Sequence, residues 1–369
     1  MNCEMNPWLM PAQRRTRAHP EPNLQGSLKR AALALVAGTV LGHAQWLTQE
    51  IPLHPGWNSV YLDVEPARAD CESVFTGLPV QSVWMWSQRI ARLQFTTDPN
   101  QLLPRNPDWL FWLPPSNPQE PLNTLFSIHG GQSYLIRLAP DAAPVAWRIQ
   151  GTPRVFRRQW LPHAMNLTGL PACPDRTTFE DFFRTSTAIG ISRTDGGEIY
   201  QVSASGQGMR IWEPSRTRIQ TGVAYWIRCK DPTRYAGPLR VELDYGSRLE
   251  FGSGVWTRRL KLSNDSRTPS TVTVRPRSSE AAPPGSAPVA GDVPLSYREQ
   301  DWSQGLPKDV YLALAPSASR ALAPGETWTL ELTVRRQEMS TAAAGACWQS
   351  LLEVTDGAAV RQWVGVQAQ

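Results

Sequence analysis

The sequence predicts an all-β protein in which one small module, with a single short helix, is used twice and is followed by a C-terminal β-sandwich. Three observations lead there. Trp occurs 16 times and Pro 33 times in 369 residues, a composition that favours strands, turns and loops over helices. Two stretches of the chain match each other at both ends and in the same order. Beyond residue 238, apolar runs of strand length recur with turn residues between them.

The first element, residues 1–44, reads as a signal peptide. Arg14, Arg15, Arg17, Lys29 and Arg30 precede Ala31–Gly42 (AALALVAGTVLG), an apolar run of the length of a signal-peptide core and too short to span a bilayer. Gly42 and Ala44 place small residues at the two positions a signal peptidase reads, so cleavage is expected after Ala44. The mature chain is then expected to be secreted, periplasmic or at the cell surface, with no transmembrane anchor after cleavage. The leader also explains the charge. The formal net charge is +5, and the leader sets five basic residues against Glu4 and Glu21. The remainder is nearly balanced, without a basic stripe to follow a phosphate backbone, which excludes nucleic acid as an expected partner. Lys stands at only four positions (Lys29, Lys230, Lys261, Lys308) among 37 basic residues. An Arg bias of this kind reflects GC-rich coding and points to a bacterial source.

Export permits disulfides. Cys3 leaves with the leader, and Cys71, Cys173, Cys229 and Cys347 remain. None forms a CxxC motif or a Cys/His cluster, so neither a zinc site nor any other cofactor is expected. Cys173 with Cys229 is the first disulfide to test, because both lie in one module. Free buried thiols are the alternative.

The two modules are expected at 48–145 and 153–235. LHPGWNSVYLDVEP at 53–66 meets LPHAMNLTGLPACP at 161–174, so that Leu53, Asn58, Leu62 and Pro66 find Leu161, Asn166, Leu170 and Pro174; the same offset carries Phe75 onto Phe183. Further on, IHGGQSYLIRL at 128–138 meets IQTGVAYWIRC at 219–229, with Ile128, Gly131, Tyr134, Ile136 and Arg137 repeated as Ile219, Gly222, Tyr225, Ile227 and Arg228. Between these ends, Trp112 and Pro114 align with Trp212 and Pro214. Each copy opens with a strand (58–64; 166–170) that leads into a short helix. Asp70 announces the first helix. In the second copy Thr177-Thr-Phe-Glu180 fits a capping box, with Phe179, Phe182 and Phe183 as the apolar face. Alternating strands follow at 82–86 and 198–202, and each module closes on Tyr-x-Ile-Arg after a Gly suited to a turn of positive φ.

From 238 to 369 strand-like runs fall at 239–243, 256–262, 270–274, 310–314, 328–334, 351–354 and 360–366. Their spacing suggests a β-sandwich of immunoglobulin-like type, although the Cys…Trp…Cys pattern of true immunoglobulin domains is missing. Ala323-Pro-Gly-Glu326 reads as a turn feeding an alternating strand, and 275–291 (RPRSSEAAPPGSAPVAG) as a mobile loop.

Gly56-Trp57-Asn58-Ser59-Val60, with the closing Gly-x-x-Tyr-x-Ile, resembles the GWN…GxxYW modules of bacterial secreted and surface proteins. The second copy departs at its start, with Ala164-Met165-Asn166, but its Tyr225-Trp226 is nearer the closing pattern than Tyr134-Leu135. The resemblance covers about half the chain and implies an extracellular β-module rather than an activity.

Candidate binding residues are tryptophans. Trp84 and Trp86 stand two apart on a strand and share one face. If that face is open they form a stacking platform for sugar rings, and if it is covered they are core. Trp109 and Trp112 lie in a Pro-rich stretch expected to be a loop, where recognition residues concentrate. His54, His129 and His163 have no carboxylate or histidine partner nearby in sequence, so a metal or His-base site is not expected. Glu180-Asp181 and Asp63/Glu65 read as a helix's first turn and as solvent-facing strand positions. Asn166-Leu-Thr and Asn264-Asp-Ser match the N-glycosylation pattern, which in a bacterial setting is chance. No nucleophile elbow, P-loop or dinucleotide fingerprint appears. The expected function is therefore a non-catalytic exported or cell-surface scaffold or adhesion protein, its partners an extracellular glycan or other surface proteins. The alternative is a carbohydrate-binding protein using its Trp-rich loops, and a secreted hydrolase ranks last.

Overall fold

A computed structural model describes residues 45–86, 96, 98–103, 108–192, 194, 197–339 and 346–369. The expected leader and its cleavage point lie outside them. The protein is all-β, with two five-residue helices among the described residues. Its first part runs β1 (Leu47–Leu53), β2 (Gly56–Tyr61), β3 (Val64–Pro66), α1 (Cys71–Phe75), β4 (Val80–Trp86), β5 (Trp109–Trp112), β6 (Ser133–Leu138) and β7 (Val145–Pro153). The second runs β8 (Ala164–Thr168), α2 (Phe179–Phe183), β9 (Ile199–Val202), β10 (Gly208–Arg210) and β11 (Tyr225–Cys229).

The two parts carry the same sheet. Strand order is β2-β6-β4-β5 in one and β8-β11-β9-β10 in the other, antiparallel throughout. The repeated residues make the same bonds. Asn58 stands opposite Ile136 and exchanges hydrogen bonds with the His54 backbone at 2.9 and 2.8 Å. Asn166 stands opposite Ile227 and does the same with Leu161 at 2.8 and 3.1 Å. The Tyr134 hydroxyl accepts from His129 N at 2.7 Å, and that of Tyr225 from Gln220 N at 3.0 Å. Each bond satisfies backbone groups that a turn would leave unpaired.

The Trp112–Trp212 alignment is corrected. Trp112 pairs with Val83 on β4, whereas in the second copy it is Ile211 whose N–H bonds to Ile199, the residue in the place of Val83. Ile211 packs on the core, and Trp212 points the other way, 66% exposed. A one-residue slip along a strand exchanges its two faces.

The helix caps differ from expectation in one copy. Asp70 caps α1, its side chain accepting from Ser73 N at 2.8 Å. The cap of α2 is Thr178, which accepts from Asp181 N at 3.1 Å, so the box begins one residue later than the Thr177 expected. Thr177 is buried and donates to Ala359 O at 2.8 Å, docking the helix on the C-terminal part. Several strands lie outside the expected runs, among them β1 here and three short or edge strands of the C-terminal part at 249–251, 295–301 and 318–322. Trp109–Trp112 is β5 rather than a loop, and β7 bridges the gap left between the modules, pairing with β1 on one side and β3 on the other.

The C-terminal part comprises β12 (Leu239–Leu243), β13 (Leu249–Phe251), β14 (Thr257–Asn264), β15 (Ser270–Ser278), β16 (Val289–Gly291), β17 (Leu295–Asp301), β18 (Lys308–Ala313), β19 (Ala318–Leu322), β20 (Thr327–Val334), β21 (Cys347–Thr355) and β22 (Arg361–Ala368). Two sheets form, β12-β14-β20-β17-β18 and β13-β22-β21-β15-β19, with β16 beside β21. Leu260, Leu262, Leu330 and Leu332 from one sheet and Val272, Val274, Val354 and Val364 from the other fill a common core. The alternation in these strands buries every second residue, and the turn at 323–326 feeds β20 as expected. The stretch 275–291 is not simply a loop: β15 continues through Ser278 against β21, and β16 returns parallel to β21.

Cores cross these parts. Phe179, Phe182 and Phe183 of α2 and Tyr225 and Ile227 of β11 share the sandwich core with Leu239 and Val360. The opposite face of β8-β11 meets the face of β4-β5 in an aromatic layer of Trp57, Trp84, Trp86, Trp109, Phe111, Met165, Leu167 and Trp226.

Candidate functional site

The four expected binding tryptophans do not form a platform. Trp84, Trp86 and Trp109 are 4%, 5% and 5% exposed within the aromatic layer, and Trp109 meets Trp226 edge-on at 6.3 Å. Trp112, 7% exposed, faces the other core against Phe75 at 5.2 Å. Trp84 and Trp86 do share a face, but that face is covered by the second module, so none of these four rings is open to stack on a sugar. Among the described residues the exposed tryptophans are Trp212, Trp256 and Trp302, on separate elements. Arg210 and Arg336 guanidiniums lie over the first two at 4.8 and 5.1 Å. The two Asn-x-Ser/Thr motifs are likewise closed: Asn166 and Asn264 are buried and hydrogen-bonded to backbone carbonyls.

Cys173 and Cys229 are not bonded to each other. All four described cysteines are free and buried. Cys173 Sγ lies 3.6 Å from Thr355 Oγ1, and Cys229 Sγ donates to Asp231 O at 3.1 Å, so the two thiols are held by different neighbours. Burial pushes all four thiols up, Cys71 to about 12, which keeps them protonated and unreactive.

Glu65 and His129, without partners nearby in sequence, meet in space. His129 Nδ1 is 2.9 Å from Glu65 Oε1, and Nε2 is 3.0 Å from Ser127 Oγ. The order acid, imidazole, hydroxyl is that of a hydrolytic triad. The surrounding amides are nevertheless spent: His129 N on Tyr134 Oη, Gly130 N on Glu65 Oε2 at 3.1 Å, and Gly131 N on Leu62 O at 2.7 Å. The imidazole is half exposed, so the water-excluded pair of donors that stabilises an oxyanion is missing from this turn. Glu65 serves instead to hold the closing turn of the module. Among the described residues no group of three or more His, Cys, Asp or Glu could hold a metal ion.

The site with most built-in chemistry is a cavity of about 320 Å³ where both modules and the sandwich meet. Asp63, between β2 and β3, lines it and is half-buried rather than solvent-facing. Gln49 of β1 fixes it: Gln49 Oε1 accepts from Asp63 N at 2.9 Å, while Nε2 donates to Tyr61 O at 2.9 Å and to Asp63 Oδ2 at 3.3 Å. Arg154 and Arg158 come from the extended segment between β7 and β8, and Arg361 from the start of β22. Arg158 lies over Tyr61 at 5.9 Å and Trp160 at 5.6 Å, and its Nη1 donates to Thr168 Oγ1. A second cavity of about 270 Å³ adjoins the first, sharing Tyr61, Phe156 and Arg158. Burial pushes the Asp63 carboxyl up to about 7 against the pull of Arg158 and Arg361. It also pushes the Tyr61 hydroxyl up to about 12, so that ring stays neutral. The only trace of this site in the sequence is that Asp63 falls opposite Pro171 in the aligned copies, a place where they differ.

No family model and no curated protein sequence matches the chain. Among solved structures it is similar to Escherichia coli alpha-2-macroglobulin activated by porcine elastase, at 12% identity and a TM-score of 0.20, covering 88% of this chain. The match takes in 33% of that protein, so the chain spans about a third of its length. A likeness of that degree carries no argument about activity. Among the described residues no helix is long and apolar enough to cross a membrane.

Proposed function

We propose that the protein is a non-catalytic, exported bacterial scaffold in which two modules of the GWN…GxxYW kind and an immunoglobulin-like sandwich form one rigid body. The modules are 48–145 and 153–235, the sandwich 238–369. The observation that carries this is the sharing of cores. Module one is joined to module two by a buried aromatic layer, and module two to the sandwich by the phenylalanines of α2. Parts joined by flexible linkers keep separate cores. A chain that buries its largest side chains between its parts fixes their mutual orientation, which suits a presenting or spacing role. The spent amides around His129 support the non-catalytic reading.

The test has two parts. Expressed with its leader in a bacterial host, the chain should be recovered outside the cytoplasm with an N-terminus at Gln45. Intact, cytoplasmic protein would sink the export reading. A fluorophosphonate probe should leave Ser127 unlabelled, and stoichiometric labelling there would make the protein a hydrolase.

A further inference from the structure

We infer that the junction cavity is a binding site for a small oxyanion, a ligand whose carboxylate or phosphate is taken by Arg154, Arg158 and Arg361. Three guanidiniums line a space with one inward carboxylate, and that carboxylate is held by Gln49 and closes no ion pair with them. Glu50, the other acid at its rim, is already paired with Arg148 at 2.9 Å. Elsewhere Arg240 pairs with Asp265 and Arg335 with Glu338, and Arg336 donates to the carbonyls of Gly252 and Val255, so each of those guanidiniums has an oxygen partner even where, as in Arg335 and Arg336, the Nε is unpartnered. Here the Arg154 Nε is buried with no hydrogen-bond partner among the described residues. A guanidinium withdrawn from water without a counter-charge is costly, and an oxyanion seated in fork geometry repays that cost. The volume, about 320 Å³, is at the lower end of small-molecule pockets, so the ligand has few heavy atoms.

Calorimetric titration of the full chain with inorganic phosphate and, separately, with succinate, at ionic strength fixed by sodium chloride, tests the site and tells the two oxyanions apart. At least one should bind saturably. Arg361→Gln and Arg154→Gln should each weaken it at least tenfold, with far-ultraviolet circular dichroism unchanged. At pH 8, where Asp63 is ionised, Asp63→Asn should tighten it several-fold by removing the one inward repelling charge. Among the described residues Arg154 makes no ion pair and its Nε no hydrogen bond, so its variant breaks no such contact there and keeps the test alive if Arg361→Gln fails to fold. Absence of saturable binding by either anion, or equal affinity in the wild type and the arginine variants, would overturn the site.

Discussion

Asp63 is a carboxyl on which two opposed forces act, and burial prevails over the arginines. Its folded pKa of about 7 lies above the ordinary carboxylate value, so folding favours its protonated form. The stability this gives is full below the unfolded pKa and is lost as pH rises through about 7. Urea midpoints should therefore fall between acidic and neutral pH, and Asp63→Asn should remove that part of the fall, leaving the variant relatively more stable at pH 8 than at pH 5. Gly56 is a residue of a different kind. Its φ is +85°, and a Cβ there would lie 2.2 Å from Ala204 O of the second module. Gly56→Ala should cost about 2 kcal/mol or more in unfolding free energy, from left-handed strain and a lost close approach. The thiols give a third check. Iodoacetamide applied to the native chain should leave Cys71, Cys173, Cys229 and Cys347 unmodified, and all four should react in denaturant without prior reduction. A mass showing a Cys173–Cys229 bridge would contradict the free state.

At the scale of elements, the aromatic layer between the two four-stranded sheets is the main joint. Trp226 on β11 is fully buried and lies edge-on to Trp109. Trp226→Ala should cost about 3–5 kcal/mol, the range for emptying a buried aromatic site, read from denaturant unfolding. The same layer shows why period-two reasoning stops short. Alternation places Trp84 and Trp86 on one face of β4, yet whether that face meets water or another sheet is not a property of β4. The misplacement of Trp212 has a related cause. Sequence matching rewarded identical tryptophans, whereas the ladder places Ile211 opposite Ile199 and sends Trp212 outward. Thr177 and Thr178 divide the work of a cap and a docking contact, which a capping pattern cannot assign between adjacent threonines.

At the scale of the whole molecule, shared cores predict cooperative unfolding. Differential scanning calorimetry of residues 45–369 should give one transition, with no separate early melting of 238–369. Two resolved transitions would show that the modules and sandwich are thermodynamically independent.

The sequence by itself determined what local rules can determine: the all-β class, the duplicated strand order's residues, both short helices and most strands of the sandwich. Period-two burial, caps and turn glycines act over a few residues, and the repeat supplies its own internal check. Tertiary structure alone decided that the tryptophans are a joint rather than a platform. It also decided that 275–291 gives strand residues to the sheet and that Cys173 and Cys229 have separate neighbours. The junction cavity belongs to the same class. Asp63, Arg154, Arg158 and Arg361 reach it from the β2–β3 turn, an inter-module segment and the final strand, and charges so distant along the chain meet only because three cores have packed together.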